Sequence, residues 1–181
     1  MSYHAVLIQN TAQAENIDSL NRKAKGSADI DNANVFYLAT KSSTAGEGEV
    51  WTATRPATGS GLKLSLKLLG TTYVSIADGS VGTQRTTAYQ FEVVDNTTGI
   101  WMAYSPEVVT VVTSSSKKYR GIDPDPRDFV NISGEVFDAF KPAVGDILTI
   151  TADGITGAIG SNTYAVATNG QYALAWAASA N

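Results

Sequence analysis

The 181-residue sequence contains no cysteine, a single histidine (His4) and few charged residues. Without cysteine, the chain forms no disulfide, has no thiolate metal site and has no cysteine nucleophile. A histidine-based triad or metal site would depend on His4 alone, and we interpret this residue as a surface position near the N-terminus. The sequence also lacks a Gly-x-Ser-x-Gly elbow, a P-loop and a dinucleotide fingerprint, so we expect neither an enzyme nor a cofactor.

The chain has few charged residues, and acidic ones slightly outnumber basic ones. Lys and Arg total 13, Asp and Glu total 17, and the isoelectric point is about 4.9. No basic excess is available to neutralise phosphates, so we expect no nucleic-acid binding. No segment has the length and apolarity of a transmembrane helix, and the start MSYHAVLIQNTAQ has no positive leader. We therefore expect a protein made in a cytoplasm, without a membrane partner.

The composition favours a β-rich fold. Small and hydroxyl residues are plentiful, and the long charged side chains that coat a helical bundle are few. Strands are predicted by β-prone or alternating runs at His4–Gln9, Asn34–Thr40, Gly48–Arg55, Leu62–Leu69, Thr71–Ile76, Thr86–Val94, Ile100–Tyr104, Val108–Thr113 and Ile147–Thr151. We predict one mainly β domain over residues 1–181, a compact antiparallel barrel or sandwich with at most one or two short helices, one of them over Thr11–Ala24.

Two turns predict hairpins. Asn169–Gly170 separates the runs TYAVAT and QYALAW, which predicts a two-residue type I′ turn and a hairpin over residues 163–177. The turn Asp95–Gly99 predicts that Ile100–Tyr104 pairs with the preceding strand. Residues 57–85 are a candidate inserted lobe or loop. The sequence from Thr163 to Asn181 carries no charge, which is typical of core or of an interface.

The acidic clusters and the aromatic residues leave alternatives open. Asp123, Asp125 and Asp128 offer oxygen ligands for a cation, as do Asp29 and Asp31, but neither cluster has EF-hand spacing, so caps and Asx-turns are the preferred interpretation. Paired carboxylates for glycoside hydrolysis cannot be located from sequence. An alternative role for the aromatic side chains is stacking on sugars, although burial is their default interpretation. These side chains are Trp51, Tyr73, Trp101, Tyr104, Tyr119, Tyr164, Tyr172 and Trp176.

The stretch from Tyr119 to Thr151 is the most unusual in the chain. It begins with a proline-stiffened acidic turn, continues with a compact aromatic run, and ends in the β-like run ILTIT. Proline fixes φ and removes backbone donors, so the turn cannot be helix interior or central strand. Its rigid, mixed-charge and aromatic character is typical of a docking or corner element. As a docking element, its residues expected to contact a partner are Tyr119, Arg120, Asp123, Asp125, Arg127, Asp128 and Phe129.

Two stretches resemble small head-associated virion proteins of tailed bacteriophages, which include decoration, cement and auxiliary capsid proteins. The first is SADIDNANVFYLATKS continuing into GEGEVWTATRP, and the second is WMAYSPEVV followed by YRGIDPDPRDFVNISGEVFDAFKPAVGDILTIT. The positions that carry the second match are Pro106, Glu107, Val108, Asp125, Asp128, Phe129, Val130, Asn131, Phe137, Phe140, Gly145, Asp146 and Ile147. Residues 57–85 and the hairpin after Gly154 have no counterpart.

The resemblance implies a non-enzymatic subunit of the phage head that decorates or stabilises the shell. Its partners would be the major capsid protein or other virion proteins, and low charge and many small residues suit one copy among many, as a homo-oligomer or lattice neighbour. One alternative is a tail, fibre or baseplate component that binds host glycans. A hydrolase acting on cell-wall material is a further alternative.

Overall fold

The computed structural model describes residues 4–9, 21–43, 49–57, 63–78, 82–105, 109–112, 118–121 and 129–181. As expected from the composition, the fold is mainly β, and the described residues contain no α-helix. The strands are β1 (Leu7–Gln9), β2 (Asn21–Gly26), β3 (Val35–Lys41), β4 (Val50–Thr54), β5 (Leu64–Asp78), β6 (Gly82–Asn96), β7 (Trp101–Ala103), β8 (Val109–Val112), β9 (Lys118–Gly121), β10 (Val136–Phe140), β11 (Ile147–Thr151), β12 (Ile155–Thr156), β13 (Tyr164–Val166) and β14 (Leu174–Ala177).

Five of these strands close into a small barrel, in the order β10-β2-β4-β3-β7. Its interior is lined by alanines from four strands, Ala24, Ala53, Ala103 and Ala139, all buried. A barrel of five strands encloses little space, so small residues are needed where the strands face one another. Those alanines leave room for two phenylalanine rings, which meet edge to face with their centroids 5.5 Å apart (Phe36 and Phe137).

A second, curled sheet packs against the barrel, in the order β1-β11-β6-β5-β13-β14-β12. The barrel strands β3, β7 and β10 each contribute to two buried regions, because successive side chains on a strand point to opposite faces. One set of side chains fills the barrel interior, and the alternate set contacts the curled sheet. Val35 of β3, Met102 of β7 and Phe140 of β10 share one buried cluster with Leu66, Phe91, Leu148 and Leu174 of the curled sheet. A separate two-stranded sheet is formed by β8 and β9.

The predicted strands are mostly present, but the helix over Thr11–Ala24 is wrong where it can be compared. Asn21–Ala24 belongs to β2, which pairs with β10 on one side and with β4 on the other. Alanine and leucine spacing favoured a helix locally, but the barrel needs an extended segment there, and tertiary pairing overrides the weak propensity. The rest of that prediction, over residues 11–20, lies outside the described residues.

The predicted hairpin between residues 86–94 and 100–104 is also wrong. The strand β7 pairs with β3 and β10 of the barrel, not with β6. Asn96 explains the departure: its side chain accepts a hydrogen bond from Ile100 N (2.9 Å) and donates to the carbonyl oxygens of Ile100 (2.9 Å) and Pro142 (2.8 Å). These bonds hold the chain after β6 in a tight loop that leads into the barrel, while both edges of β6 are already paired along its inner half with β5 and β11.

At the C-terminus, β13 and β14 pair antiparallel, but the Asn169–Gly170 type I′ turn is wrong. The pairs Tyr164↔Ala177 and Val166↔Ala175 place the two strands in a register that leaves a longer connection than two residues. Only Gly170 has positive φ (71°), whereas a type I′ turn needs it at both central positions. The connection is held by the barrel side instead: Gly170 N donates to Pro56 O, and Val35 N donates to Tyr172 O, both at 2.7 Å.

We predict that Gly154→Ala destabilises the fold while Gly70→Ala does not. A Cβ at position 154 would lie 2.7 Å from Ile150 Cγ2 and 2.9 Å from Ala5 Cβ, whereas a Cβ at position 70 would meet no atom within 4 Å. Overpacking of this kind costs about 1–3 kcal/mol. At a compatible site such as Gly70, alanine stabilises by about 0.4–1 kcal/mol by reducing the entropy of the unfolded chain.

The test is urea unfolding of the two variants beside the wild type, followed by tryptophan fluorescence. Equal unfolding midpoints for Gly154→Ala and the wild type would contradict the close packing of the connection between β11 and β12.

Candidate functional site

The loop between β2 and β3, residues 29–34, is held by many hydrogen bonds to distant segments. We use the name asparagine junction for Asn32, Ser105 and Asn131. Asn32 is fully buried, and its amide donates to Ser105 O (2.9 Å) while its carbonyl oxygen accepts from Ser105 N (3.0 Å). The Asn32 side chain therefore makes with Ser105 the pair of hydrogen bonds that a neighbouring backbone segment would otherwise make.

Asn131 connects a third segment to the same loop. Its backbone exchanges two hydrogen bonds with Ile30 (2.9 and 3.0 Å), and its side-chain amide donates to Ile30 O (2.8 Å) and to Asn32 Oδ1 (3.3 Å). Ser105 Oγ in turn accepts from Asp138 N (2.9 Å), at the middle of β10. Among the described residues, Trp51 Nε1 is the one buried side-chain polar atom without a partner, so none of the buried side-chain polar atoms of the junction is left unpaired. Such pairing is the condition for burying polar groups without loss of stability.

The loop also has an unusual backbone conformation. Ala33 is the one non-glycine with positive φ (68°) among the described residues, and it is fully buried. Such a conformation costs an alanine about 1–2 kcal/mol. Its surroundings maintain it: Ala33 N donates to Ala103 O and Ala103 N donates to Asn34 O, both at 2.9 Å.

The acidic residues of this loop accept hydrogen bonds from backbone amides and from a histidine. Asp29 accepts from Ser133 N (2.8 Å), and Asp31 accepts from His4 Nδ1 (2.7 Å) and from Ala5 N (3.4 Å). The expected capping role is therefore right in kind, but the amides come from distant segments. In the described part of the chain, no three His, Asp or Glu side chains gather as a metal site.

His4 is partly covered, with 38% of its side chain exposed, and its hydrogen bond with Asp31 ties the N-terminal segment to the loop. A histidine–carboxylate pair also occurs in catalytic triads, where the histidine contacts a nucleophile on its other side. Within the described residues, His4 hydrogen-bonds with Asp31 only. The pair as it stands anchors a chain segment.

The residues predicted to dock a partner are only partly described. Tyr119 and Arg120 lie on β9, which pairs with β8 in its own small sheet. Phe129 is 7% exposed, so its ring belongs to the interior of this chain. The prediction for Asp123, Asp125, Arg127 and Asp128 falls outside the described residues.

A different surface feature is a projecting β-ribbon. It lies mostly within residues 57–85, the candidate inserted lobe or loop, but the sequence did not predict a two-stranded ribbon there. We use the name arm for Thr71–Asp78 of β5 together with Gly82–Thr87 of β6. The curled sheet covers β5 only as far as Leu68, whose N–H bonds Thr163 O, and covers β6 only from Ala88 onward. Within the described residues, the arm strands pair only with each other.

A β-bulge lies at the base of the arm, between Leu68 and Gly70, and Leu69 at that point is 48% exposed. A bulge bends its strand and increases its twist, which turns the ribbon out of the sheet. Tyr73 on the arm is 60% exposed, and the Arg85 guanidinium lies 4.8 Å from the centre of its ring. The side chains described on the arm, at positions 71–74 and 85–87, are mostly polar or aromatic, and Arg85 is the charged one among them.

The other aromatic candidates are more covered. Trp176 packs between Tyr89 and Phe91, with ring centroids 4.9 and 5.7 Å away. Trp101 and Tyr172 each carry an arginine over the ring, Arg22 at 6.0 Å and Arg55 at 5.1 Å. Burial as the default interpretation is therefore only partly right. The described candidates are half-buried at best, and Tyr73 and Tyr104 are exposed.

Comparisons with protein-family models, with curated proteins and with solved structures find no match to this chain. Among the described residues, no helix has the length and apolarity needed to span a bilayer.

We predict that Asn32→Ala lowers the free energy of unfolding by about 2–4 kcal/mol, since it leaves the buried N–H and C=O of Ser105 unpaired at about 1–3 kcal/mol each. Asn162→Ala is the matched control, because that amide makes one exposed hydrogen bond with Ala158 O (3.3 Å). The control should change stability by less than about 0.5 kcal/mol. Chemical denaturation of the three proteins checks this, and an unchanged midpoint for Asn32→Ala would show that the junction does not hold the loop.

Proposed function

We propose that this chain is a structural protein of a bacteriophage virion, a decoration or cement subunit that binds the capsid shell through non-covalent contacts and stabilises it. It works without catalysis, is made in the host cytoplasm and becomes part of the phage head. The observation that carries the proposal is that the two separate stretches that resemble head-associated proteins meet at the asparagine junction.

The contacts between these stretches are direct. From the first stretch, Asp29, Ile30 and Asn32 bond the backbone or side chains of Ser133, Asn131 and Ser105, which all belong to the second. Residues scattered over a sequence by chance would have no reason to converge at one bonded point. Their convergence supports the interpretation that the two stretches form one folded unit, as in the proteins that they resemble.

The same stretches supply most of the barrel. They contain β3, β4, β7 and β10, while β2 lies immediately before the first stretch. The parts without a counterpart are residues 57–85 and the region after Gly154. They supply all of β5, the start of β6, and β12 to β14 of the curled sheet, so they include most of the arm. A common barrel carrying additional surface is what a shell-binding subunit needs to make contacts specific to its own particle.

Repeated weak contacts suit such a role. The chain has a net charge of only −4, and the described surface has few ion pairs that could compete with a partner. A subunit present in many copies on a lattice gains binding strength from multivalency and needs no tight single contact.

The alternative placement is in a tail, fibre or baseplate that binds host glycans. It is favoured by the exposed ring of Tyr73, since aromatic faces stack on sugar rings and this ring is 60% exposed. Binding of the free protein to a glycan array, abolished by Tyr73→Ala but retained by Tyr73→Phe, would favour this placement over the head.

The proposal predicts that the purified protein co-sediments with heads of the phage that encodes it, prepared from a mutant lacking the gene. Binding should saturate at a fixed ratio to shell subunits, because a decoration subunit has a defined number of lattice sites. The measurement is the amount pelleted across a concentration series, with purified tails of the same phage as the control. Binding to tails alone would support the tail placement, and no binding to either would refute a virion role.

A second prediction concerns the acidic turn. Asp125→Ala combined with Arg127→Ala should reduce head occupancy while leaving the unfolding midpoint of the free protein unchanged, if these residues contact the shell. Lys63→Ala combined with Asp153→Ala is the matched control, since it also removes one base and one acid, both from exposed positions. Equal occupancy for the two double variants would show that the turn is not the docking element, and unfolding of the first would show that it is a structural corner.

A further inference from the structure

The arm leaves strand edges open. An antiparallel strand directs the N–H and C=O groups of every second residue outward, and on a central strand these groups bond the neighbour. On β5 the outer edge has no partner in the described residues from Thr71 to Asp78, and on β6 from Gly82 to Thr87. A two-stranded ribbon is only marginally stable in water, so it gains from added strands.

The sequence of the arm does not protect these edges. Proteins that keep a strand edge free usually place lysine, proline or an inward charge on it. The β5 segment Thr71–Ala77 reads TTYVSIA, without a charge or a proline, and five of its seven residues are β-branched or aromatic types that favour strands. The edge therefore has the composition of a strand that pairs.

The two edges differ in charge and in length. The β6 edge is shorter and carries Arg85 within it, so two such edges placed side by side would bring two guanidinium groups together. The β5 edge is longer, and its one charge, Asp78, lies at the far end. An uncharged edge that repels no copy of itself favours β5 as the pairing edge.

We infer that two copies of this chain pair through the β5 edges of their arms, antiparallel and about a two-fold axis at Val74, to form a four-stranded sheet. Centring the pair on Val74 uses the whole uncharged segment: Thr71 lies opposite Ala77, Thr72 opposite Ile76, and the large Tyr73 opposite the small Ser75. The two Asp78 residues are then at opposite ends of the interface. A two-fold interface of this kind is closed, so the product is a dimer and not a fibre.

This inference goes beyond the virion role and does not depend on it. A dimer that forms in solution with no phage component present would stand even if the protein did not bind heads. Head binding by a monomer would leave the proposed function intact and overturn the dimer.

The test uses the natural absence of cysteine, which makes any introduced thiol the only one in the protein. Val74 and Thr86 lie opposite each other within the arm and are both half-buried, so Val74→Cys and Thr86→Cys are matched in position and exposure. In the four-stranded sheet, the two residues at position 74 face each other with Cβ atoms about 4.5–5.5 Å apart, which a disulfide can bridge. The two residues at position 86 are separated by three strand spacings, about 14 Å, which a disulfide cannot bridge.

Under mild oxidation, we expect Val74→Cys to form a disulfide-linked dimer and Thr86→Cys to remain monomeric on non-reducing gels, with circular dichroism showing that both are folded. Cross-linking of Thr86→Cys instead, equal cross-linking of both, or cross-linking of neither would overturn the inference. Equal cross-linking would indicate random collision.

A second measurement avoids introduced thiols. In sedimentation equilibrium at micromolar concentrations, the wild type should be dimeric, and Val74→Lys should weaken the dimer at least tenfold because it places two ammonium groups opposite each other. Thr86→Lys adds the same charge one strand away and should leave the dimer intact. A monomeric wild type, or equal weakening by both variants, would overturn the inference.

Discussion

The fold depends on one buried side chain, that of Asn32, which hydrogen-bonds backbone groups that no strand in the described part of the chain pairs. Asn32 lies in the interior and offers both a donor and an acceptor to the backbone of Ser105. Because a buried polar group is costly unless every hydrogen bond is made, the position of the 29–34 loop is fixed relative to the end of β7. Asn131 extends the same bonding to the segment before β10, so three distant parts of the chain are held at one end of the barrel. The strained backbone of Ala33 persists because these contacts surround it.

The barrel and the curled sheet are joined by strands that serve both. On β3 the neighbours Val35 and Phe36 belong to different clusters, one between the sheets and one inside the barrel, and Met102 and Ala103 divide in the same way on β7. A one-residue shift in these strands would exchange the two sets, placing large residues where only alanine fits. Backbone hydrogen bonds link Ala33 and Ala103 at the end of the barrel. They therefore also help to fix the register of β3 and β7, two strands that contribute to both clusters.

The class of fold and most strands could be predicted from the sequence, because alternating and β-branched runs such as those in β3, β4 and β6 report local preference. Partners could not be predicted, since pairing depends on contacts between distant residues. The Asn96 loop sends β7 to the barrel, and docking against Pro56 sets the Asn169–Gly170 connection. The only sequence signal for the asparagine junction is weak: asparagines stand among apolar residues in ADIDNANV and FVNIS. This pattern is difficult to distinguish from that of an ordinary turn. The arm could be predicted only as the candidate lobe or loop over residues 57–85. Its ribbon form could not, because two predicted strands, Leu62–Leu69 and Thr71–Ile76, are one bulged strand.

The barrel can close only after its last strand has been synthesised. The second strand, completed by Gly26, bonds β10, which ends at Phe140, and β1 bonds β11 still later in the chain. Ribosomes add about 5–20 residues per second, so the N-terminal strands wait on the order of ten seconds for their partners to emerge. During that interval β3 and β4 can form a local antiparallel pair, but β2 has only a parallel neighbour and the barrel remains open. Such non-local pairing makes folding slow, and the scarcity of long apolar runs in the first half of the chain limits aggregation while the nascent protein is incomplete.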